Sequence, residues 1–409
     1  MSASTDIAHH AGLDVVGQST PATIDDLKGL VADLYTGEDA IAPTGGGTAL
    51  AYGPAIAKRA HLVDTTGLAT IVDYPSEDLT ITLEAGITIK RLNEVLAEKG
   101  QFLPLDVPFA DRATLGGVLA TNTAGPRRQG YGTARDYVIG IDVVGAEGRR
   151  IHGGGRVVKN VAGYDFMKLH VGALGTLGII AEVTLKLHPL PGQRGGVWAS
   201  LRDDQLQSLL ERLHQTQTRP VATTLVNESG RAGTTPWPGE PSPWSLVVLF
   251  EESSAAVAWQ TEQLRRELAD AAIDQVGVLP SEQSAPLLDW LTHWPAAPER
   301  TDVLKASLLP SDLATICSSI PEKRPGTGML IDAGTGITHV DVSGGGVTAI
   351  ADVRQEVVEL GGHAVLIQTD EDRGSRDLVW GSPRDDVTLM RRLKEAWDPR
   401  DLFNPGKMP

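Results

Sequence analysis

The stretch Pro43–Gly53, PTGGGTALAYG, holds three consecutive glycines between two threonines. Glycine has no Cβ, so Gly45, Gly46 and Gly47 can take positive φ and turn their N–H groups toward one anion, such as a diphosphate. Thr44 and Thr48 add hydroxyl donors. Taken alone, the triplet reads equally well as a surface turn. Its neighbours in the chain have to decide between the two.

Downstream, LTITLEAG alternates Leu79, Ile81 and Leu83 with Thr80, Thr82 and Glu84, the period of a half-buried strand. TIKRLNEVLAEKG places Ile89, Leu92, Val95 and Leu96 on one helical face, with Thr88 fit to cap its start and Gly100 its end. GIIAEVTLKLHPL is a second strand, with Ile179, Ala181, Val183, Leu185 and Leu187 facing one way and Pro189 and Pro191 ending it. From about residue 192, helical stretches such as AAVAWQTEQLRRELADA alternate with β-rich ones such as WSLVVLFEE, the texture of an α+β domain. SPRDDVTLMRRLKEAWDP announces a last helix. Ser382 fits its N-cap, Pro383 its first position, Asp385 the capping-box partner, and Met390, Leu393 and Trp397 the buried face.

At 409 residues the chain exceeds one ordinary core, so more than one domain is expected. A formal net charge of −16 opposes a nucleic-acid partner, because such binding needs Lys and Arg to neutralise phosphates. Cys317 is the only cysteine, which excludes an internal disulfide and any iron–sulfur cluster held by this chain alone. The N-terminal stretch has no basic, then apolar, signal pattern, and no run of 18 or more apolar residues occurs. A cytoplasmic location is expected, with no direct membrane insertion and membrane association only through a partner.

Common chemistries fail on spacing. GALGTLG puts glycines at 172, 175 and 178, not at the intervals of a dinucleotide-binding Rossmann turn. No P-loop and no nucleophile elbow occurs. The ten histidines are scattered without a helical metal-binding pair, and no metal is expected. Trp290 and Trp294, four apart, suit a helical core.

Two more glycine-rich segments remain: RATLGGVLATNTAGPRRQGYGTARDYV, 112–138, and GGRVVKNVAGYDFMKLHVGALGTLGIIAEVTLKLHPLP, 154–191. With PTGGGT and the ending LMRRLKEAWDPRDLFNPGKM, they resemble the vanillyl-alcohol-oxidase-type, or PCMH-type, FAD flavoproteins. Within that family they are most similar to the FAD-binding E-type subunit of bacterial glycolate oxidases. The resemblance covers about the first 190 and the last 30 residues.

The resemblance implies an α+β fold. A PCMH-type FAD-binding domain of two α/β subdomains would span 1–190, and an α+β cap or substrate domain 191–375. A C-terminal segment, 376–409, would return to the FAD domain. It also implies roles for matched residues. Thr44, Gly45, Gly46, Gly47 and Thr48 would hold the diphosphate of FAD, and the glycines would make room for it. Pro108, Thr114, Gly117, Thr121, Asn122, Thr123, Gly125 and Gly132 would line the flavin and ribityl chain. Ile180, beside Gly178, would hold the adenine end by its backbone, and Asn404 would come back to the flavin ring. Lys159 would stabilise charge on the reduced flavin, or fix a loop to the sheet together with Tyr164.

Departures from the family pattern matter as well. Thr48 falls near the histidine that carries covalent flavin in some relatives, which points to non-covalent FAD. Ala173 and Leu174 replace a Ser-Glu pair, and THVDVSGGG, 338–346, is at most a degenerate form of the metal motif of catalytic 2-hydroxy-acid dehydrogenases. The expected function is an FAD-dependent subunit that oxidises a small 2-hydroxy acid such as glycolate or D-lactate. A second FAD subunit and an iron–sulfur subunit would be its partners. A stand-alone alcohol or sugar oxidase and a non-catalytic FAD-fold scaffold are the alternatives, and no catalytic residue is assigned.

Overall fold

The computed structural model describes residues 13–56, 58–155, 165–231, 236–240, 242–273, 275–369 and 375–409. The chain forms two compact units. The first comprises Met1–Thr123, Thr133–Leu190 and Arg373–Pro409, the second Ala124–Gly132 and Pro191–Asp372.

In the first unit a parallel three-stranded sheet runs in the order Val15–Ser19, Ala60–Asp64, Ala40–Thr44. The C-terminus extends it. Ile41 donates its N–H to the Leu402 carbonyl at 2.7 Å, and Asn404 returns an N–H to Ile41 at 3.1 Å. Helix Ile24–Leu34 is capped by Thr23 and buries Leu27 and Val31 against Ile41, Val63 and Phe403.

An antiparallel five-stranded sheet follows in the order Ile71–Asp73, Thr80–Glu84, Ile179–Lys186, Val138–Val144, Arg150–Gly154. Thr80–Glu84 is buried along its whole length rather than on alternate residues. Its polar face is satisfied internally. Thr82 and Thr184 share a hydroxyl hydrogen bond of 3.0 Å, and Glu84 Oε2 accepts the Thr70 N–H at 2.8 Å. Helix Ile89–Ala97 forms as its periodicity demands, with the Thr88 hydroxyl accepting the Arg91 N–H and Gly100 leaving at a φ of +65°.

The last helix departs from expectation. It spans Val387–Trp397, four residues later than Pro383 suggested, and Asp386 at its start makes no side-chain cap. Val387 alone is fully buried, while Met390, Leu393 and Trp397 are half-buried. Arg384 bonds to Asp386 beside it instead of joining a first turn.

The second unit is built on one antiparallel eight-stranded sheet. Its order is Gln275–Leu279, Gln193–Leu201, Trp244–Glu252, Ala222–Asn227, Gly328–Asp332, Ile337–Asp341, Val303–Ser307, His363–Gln368. Helix Ser281–His293 packs Leu287, Leu288 and Leu291 against Val247, Leu249 and Val226, with Trp294 fully buried and its indole N–H donated to Gly230 O at 2.7 Å. Trp290 packs against this core, as its spacing suggested. Residues 124–132 belong to this unit although they interrupt the first in sequence. Arg127 and Tyr131 both reach the buried Glu251 carboxylate, at 3.1 and 2.8 Å.

Candidate cofactor site

The Gly45–Thr48 loop leaves the end of strand Ala40–Thr44. Thr44 is buried, and its carbonyl accepts the Thr65 hydroxyl at 3.0 Å. A Cβ on Gly46 would stand 1.8 Å from the Arg112 carbonyl oxygen, and one on Gly45 would stand 2.0 Å from Thr114 Oγ1. This corrects the expectation that a ligand is what those two glycines make room for. Gly46 admits the chain's own Arg112 backbone and Gly45 the Thr114 side chain. Gly47 is needed for a different reason, a φ of +71°.

That approach draws helix Leu115–Thr121 to the loop. Thr114 caps the helix by accepting the Gly117 N–H, and Gly116 donates to the Ala85 carbonyl at 2.7 Å. The loop, this helix, residues 174–180 and the C-terminus line one open cleft. Among the sequence-predicted residues, Thr44 to Thr48, Thr114, Gly117, Thr121, Gly178, Ile180 and Asn404 all line it.

The others are placed elsewhere. Asn122 and Thr123 follow the helix without lining the cleft. Asn122 sits at a φ of +49° with its Oδ1 buried and unpartnered among the described residues, and Thr123 shares a 2.6 Å hydroxyl bond with Thr121. Pro108 lies in a turn outside the walls. Gly125 and Gly132 belong to the second unit. Lys159 and Tyr164 lie outside the described residues.

The cleft suits a group that carries a diphosphate. Among the described residues, the N–H groups of Gly45, Gly46, Gly47 and Thr48 have no acceptor within the chain. Backbone donors at a partly buried site are nearly always paired, so a run of four awaits solvent or an anion. Among the described residues, the walls hold neither histidine nor cysteine, and their titratable groups are Tyr52 and Lys407. Burial raises the Tyr52 phenol above its ordinary range. The Lys407 ammonium donates to the Leu50 and Tyr52 carbonyls at 2.9 and 2.6 Å. The cleft is therefore a binding site without an uncommitted acid–base pair among its described residues.

Asn404 has a φ of +42° and donates Nδ2 to the Leu174 carbonyl at 2.7 Å. A Cβ on Gly175 would lie 3.0 Å from that Nδ2. Asn404 thus clasps the 174–175 turn to the C-terminus as well as lining the cleft. Lys407 and Tyr52 were missed by the sequence reading. FNPGK carries the first and PTGGGTALAYG the second, but the partners that bury them are distant in sequence.

Residues 18–154 match the model of an FAD binding domain, and 381–408 that of the FAD-linked oxidase C-terminal domain. The chain is 26% identical to D-2-hydroxyglutarate dehydrogenase of Xanthomonas citri, over 95% of this chain and 88% of that protein. It is also 26% identical to glycolate oxidase subunit GlcD of Bacillus subtilis, over 95% and 87%. Similarity to glycolate oxidase subunit GlcE of Escherichia coli is 37% but partial, over 37% of this chain and 43% of that one. The fold matches the solved structure of alkyldihydroxyacetonephosphate synthase with a TM-score of 0.69 and 17% identity, over 95% of this chain and 76% of that one. With an FAD binding domain at 18–154 and a segment similar to the FAD-linked oxidase C-terminal domain lining the same cleft, the chain is an FAD-dependent oxidoreductase.

Proposed function

We propose that this flavoprotein oxidises a 2-hydroxy acid to the 2-oxo acid and passes the electrons to a partner subunit. The observation that carries the reading is the run of four acceptor-free N–H groups in the cleft of an FAD binding domain. Relatives that the chain matches almost end to end support the substrate class, being named for 2-hydroxyglutarate and glycolate.

FAD, when bound, supplies the acceptor for the hydride that leaves the hydroxyl-bearing carbon. The residues of this chain hold it. Gly45 to Thr48 bind the diphosphate through main-chain N–H groups, and the Thr48 hydroxyl adds a donor. The backbone of Ile180 meets the adenine end. Thr114, Gly117 and Thr121 present a flat polar wall to the ribityl chain and ring. Asn404 and Lys407 close the cleft by tying the C-terminus to the Leu174 and Leu50–Tyr52 carbonyls. Thr48, standing near the position where covalently flavinylated relatives carry a histidine, supports non-covalent FAD, and among the described residues neither histidine nor cysteine lines the cleft.

Cys317 is the chain's single cysteine, so an iron–sulfur acceptor belongs to another subunit. The partial GlcE similarity supports a place in a glycolate-oxidase-like complex. Near end-to-end similarity to a D-2-hydroxyglutarate dehydrogenase favours a second reading, in which this chain completes the oxidation with its own residues.

The test is anaerobic addition of glycolate, D-lactate and D-2-hydroxyglutarate to the purified yellow chain. Bleaching of the flavin band by one of them is expected. A flavin that none reduces, with or without glycolate-oxidase-type partner subunits, contradicts the proposal.

A further inference from the structure

We propose that the Tyr52 phenol is a hydrogen-bond donor to bound FAD, set in place by the C-terminal tail. The inference rests on the cofactor reading above and adds to it a side chain outside the glycine loop. Every residue it uses belongs to the first unit.

Local structure fixes where Tyr52 stands. Its N–H donates to the Ala49 carbonyl at 3.0 Å, which closes a turn immediately after the Gly45–Thr48 loop. The tail then locks that turn. The Lys407 ammonium, on a residue almost wholly buried, grips the Leu50 carbonyl at 2.9 Å and the Tyr52 carbonyl at 2.6 Å. Gly53 leaves the turn at a φ of +75°, and a Cβ there would stand 3.3 Å from the Lys407 carbonyl oxygen and 3.4 Å from Leu174 Cδ1. Turn and tail approach this closely because Gly53 carries no side chain, and Tyr52 is held between its own turn and that contact.

Other polar side chains of the cleft wall are spent on the chain itself. Thr65 Oγ1 donates to the Thr44 carbonyl at 3.0 Å, Thr121 Oγ1 to the Gly117 carbonyl at 2.9 Å, and Asn404 Nδ2 to the Leu174 carbonyl at 2.7 Å. Tyr52 differs from them. Among the described residues its hydroxyl has no hydrogen-bond partner, although the residue is half-buried in the wall. Its oxygen is still accessible, since it is not one of the sealed polar atoms.

A protonated phenol donates, and burial keeps this one protonated by raising it above its ordinary range. The acceptor therefore comes from the molecule that fills the cleft. FAD carries acceptor oxygens along its length, on phosphate, ribityl chain and ring. With Tyr52 one turn beyond the loop assigned to the diphosphate, the cofactor is the group that stands within its reach.

The experiment is equilibrium dialysis of FAD against the full chain and against its Tyr52→Phe variant, which loses one oxygen and keeps the ring. FAD affinity about tenfold weaker is expected in the variant, the effect of one lost hydrogen bond. Urea unfolding separates this from a purely structural role. With flavin dialysed out the two proteins should share one midpoint, because the hydroxyl has no partner within the chain, and with FAD in excess the wild type should gain more. Equal FAD affinity overturns the proposal. A variant already less stable without flavin overturns it as well, since the hydroxyl would then serve the fold. FAD held equally by both, with hydroxy acids reducing the variant's flavin more slowly, overturns it by placing the hydroxyl on the substrate. In each of these outcomes the wild type still binds FAD and the cofactor reading stands. A wild-type chain that takes up no FAD removes both.

Discussion

Lys394 and Asp398, one helical turn apart, form a sealed ion pair that ties the C-terminus of the first unit together. The ammonium lies 2.5 Å from Asp398 Oδ2 and also donates to the Thr176 and Phe403 carbonyls at 2.8 and 2.7 Å. Asp398 Oδ2 accepts the Leu402 and Phe403 N–H groups as well, and Oδ1 accepts the Tyr35 hydroxyl at 3.0 Å. The carboxylate is wholly buried. Breaking one partner of a buried, fully bonded pair costs about 3–5 kcal/mol. Asp398→Asn leaves the Lys394 charge only the half-exposed Asp401 carboxylate at 3.2 Å and sets an amide against two N–H donors. It is expected to lower stability by about 3 kcal/mol in urea unfolding. Flavin should be lost too, because the pair holds the segment that carries Asn404. An unchanged urea midpoint would contradict this.

The glycine loop yields a prediction with an internal control. In Gly45→Ala the new methyl meets the Thr114 side chain, whereas in Gly46→Ala it meets the Arg112 backbone carbonyl. Both variants should purify with about tenfold less flavin or worse, since a methyl about 2 Å from a neighbouring atom forces the loop to shift. Adding Thr114→Ala should restore part of the flavin content to Gly45→Ala and none to Gly46→Ala. Equal rescue of both would show that the loop does not depend on these contacts.

His170 makes stability depend on pH. It is buried with Nε2 unpartnered among the described residues, edge-on to Trp397, and burial lowers its pKa to about 4. The unfolded chain therefore binds a proton below about pH 6.5 that the native state refuses until about pH 4, so stability falls as pH drops through that window. The loss between pH 7.5 and pH 5 is about 2 kcal/mol. Replacing His170 with Phe should flatten that part of the profile in urea unfolding at the two pH values. A profile equally steep in both proteins would rule the histidine out.

In the second unit, Glu251 is the post that holds residues 124–132. Burial would raise its carboxyl, but the Arg127 and Arg194 guanidiniums outweigh it and keep the pKa below the ordinary value. Glu251→Gln should destabilise the unit by about 3 kcal/mol and speed amide exchange at Gly130, whose N–H bonds across to Val221. Unaltered exchange there would mean that the segment is held by other contacts.

Local rules made part of this molecule legible. Thr88, Gly100 and the Ile89–Leu92–Leu96 stripe announce a helix because capping and periodicity act over a few residues. The glycine triplet marked the cleft for the same reason. Burial set by distant chain was not legible. Thr80–Glu84 reads as half-buried, yet it is covered on both faces, with the Thr82 hydroxyl finding its partner in Thr184, about a hundred positions away. The last helix starts late although Ser382 and Pro383 suit a first turn, since local capping is worth less than the packing at Val387. Lys305 is unremarkable in sequence and meets His339 only through strand register. Lys407 looked like the end of a motif and is a buried clasp.

We propose that the main-chain N–H groups of Gly45 to Thr48 hold the diphosphate of FAD. A crystal structure of the FAD-loaded chain tests it directly. Diphosphate oxygens should lie about 2.7–3.2 Å from at least two of those nitrogens, with the flavin extending past Thr121. A diphosphate seated elsewhere, with those four groups bonded only to water, would contradict it.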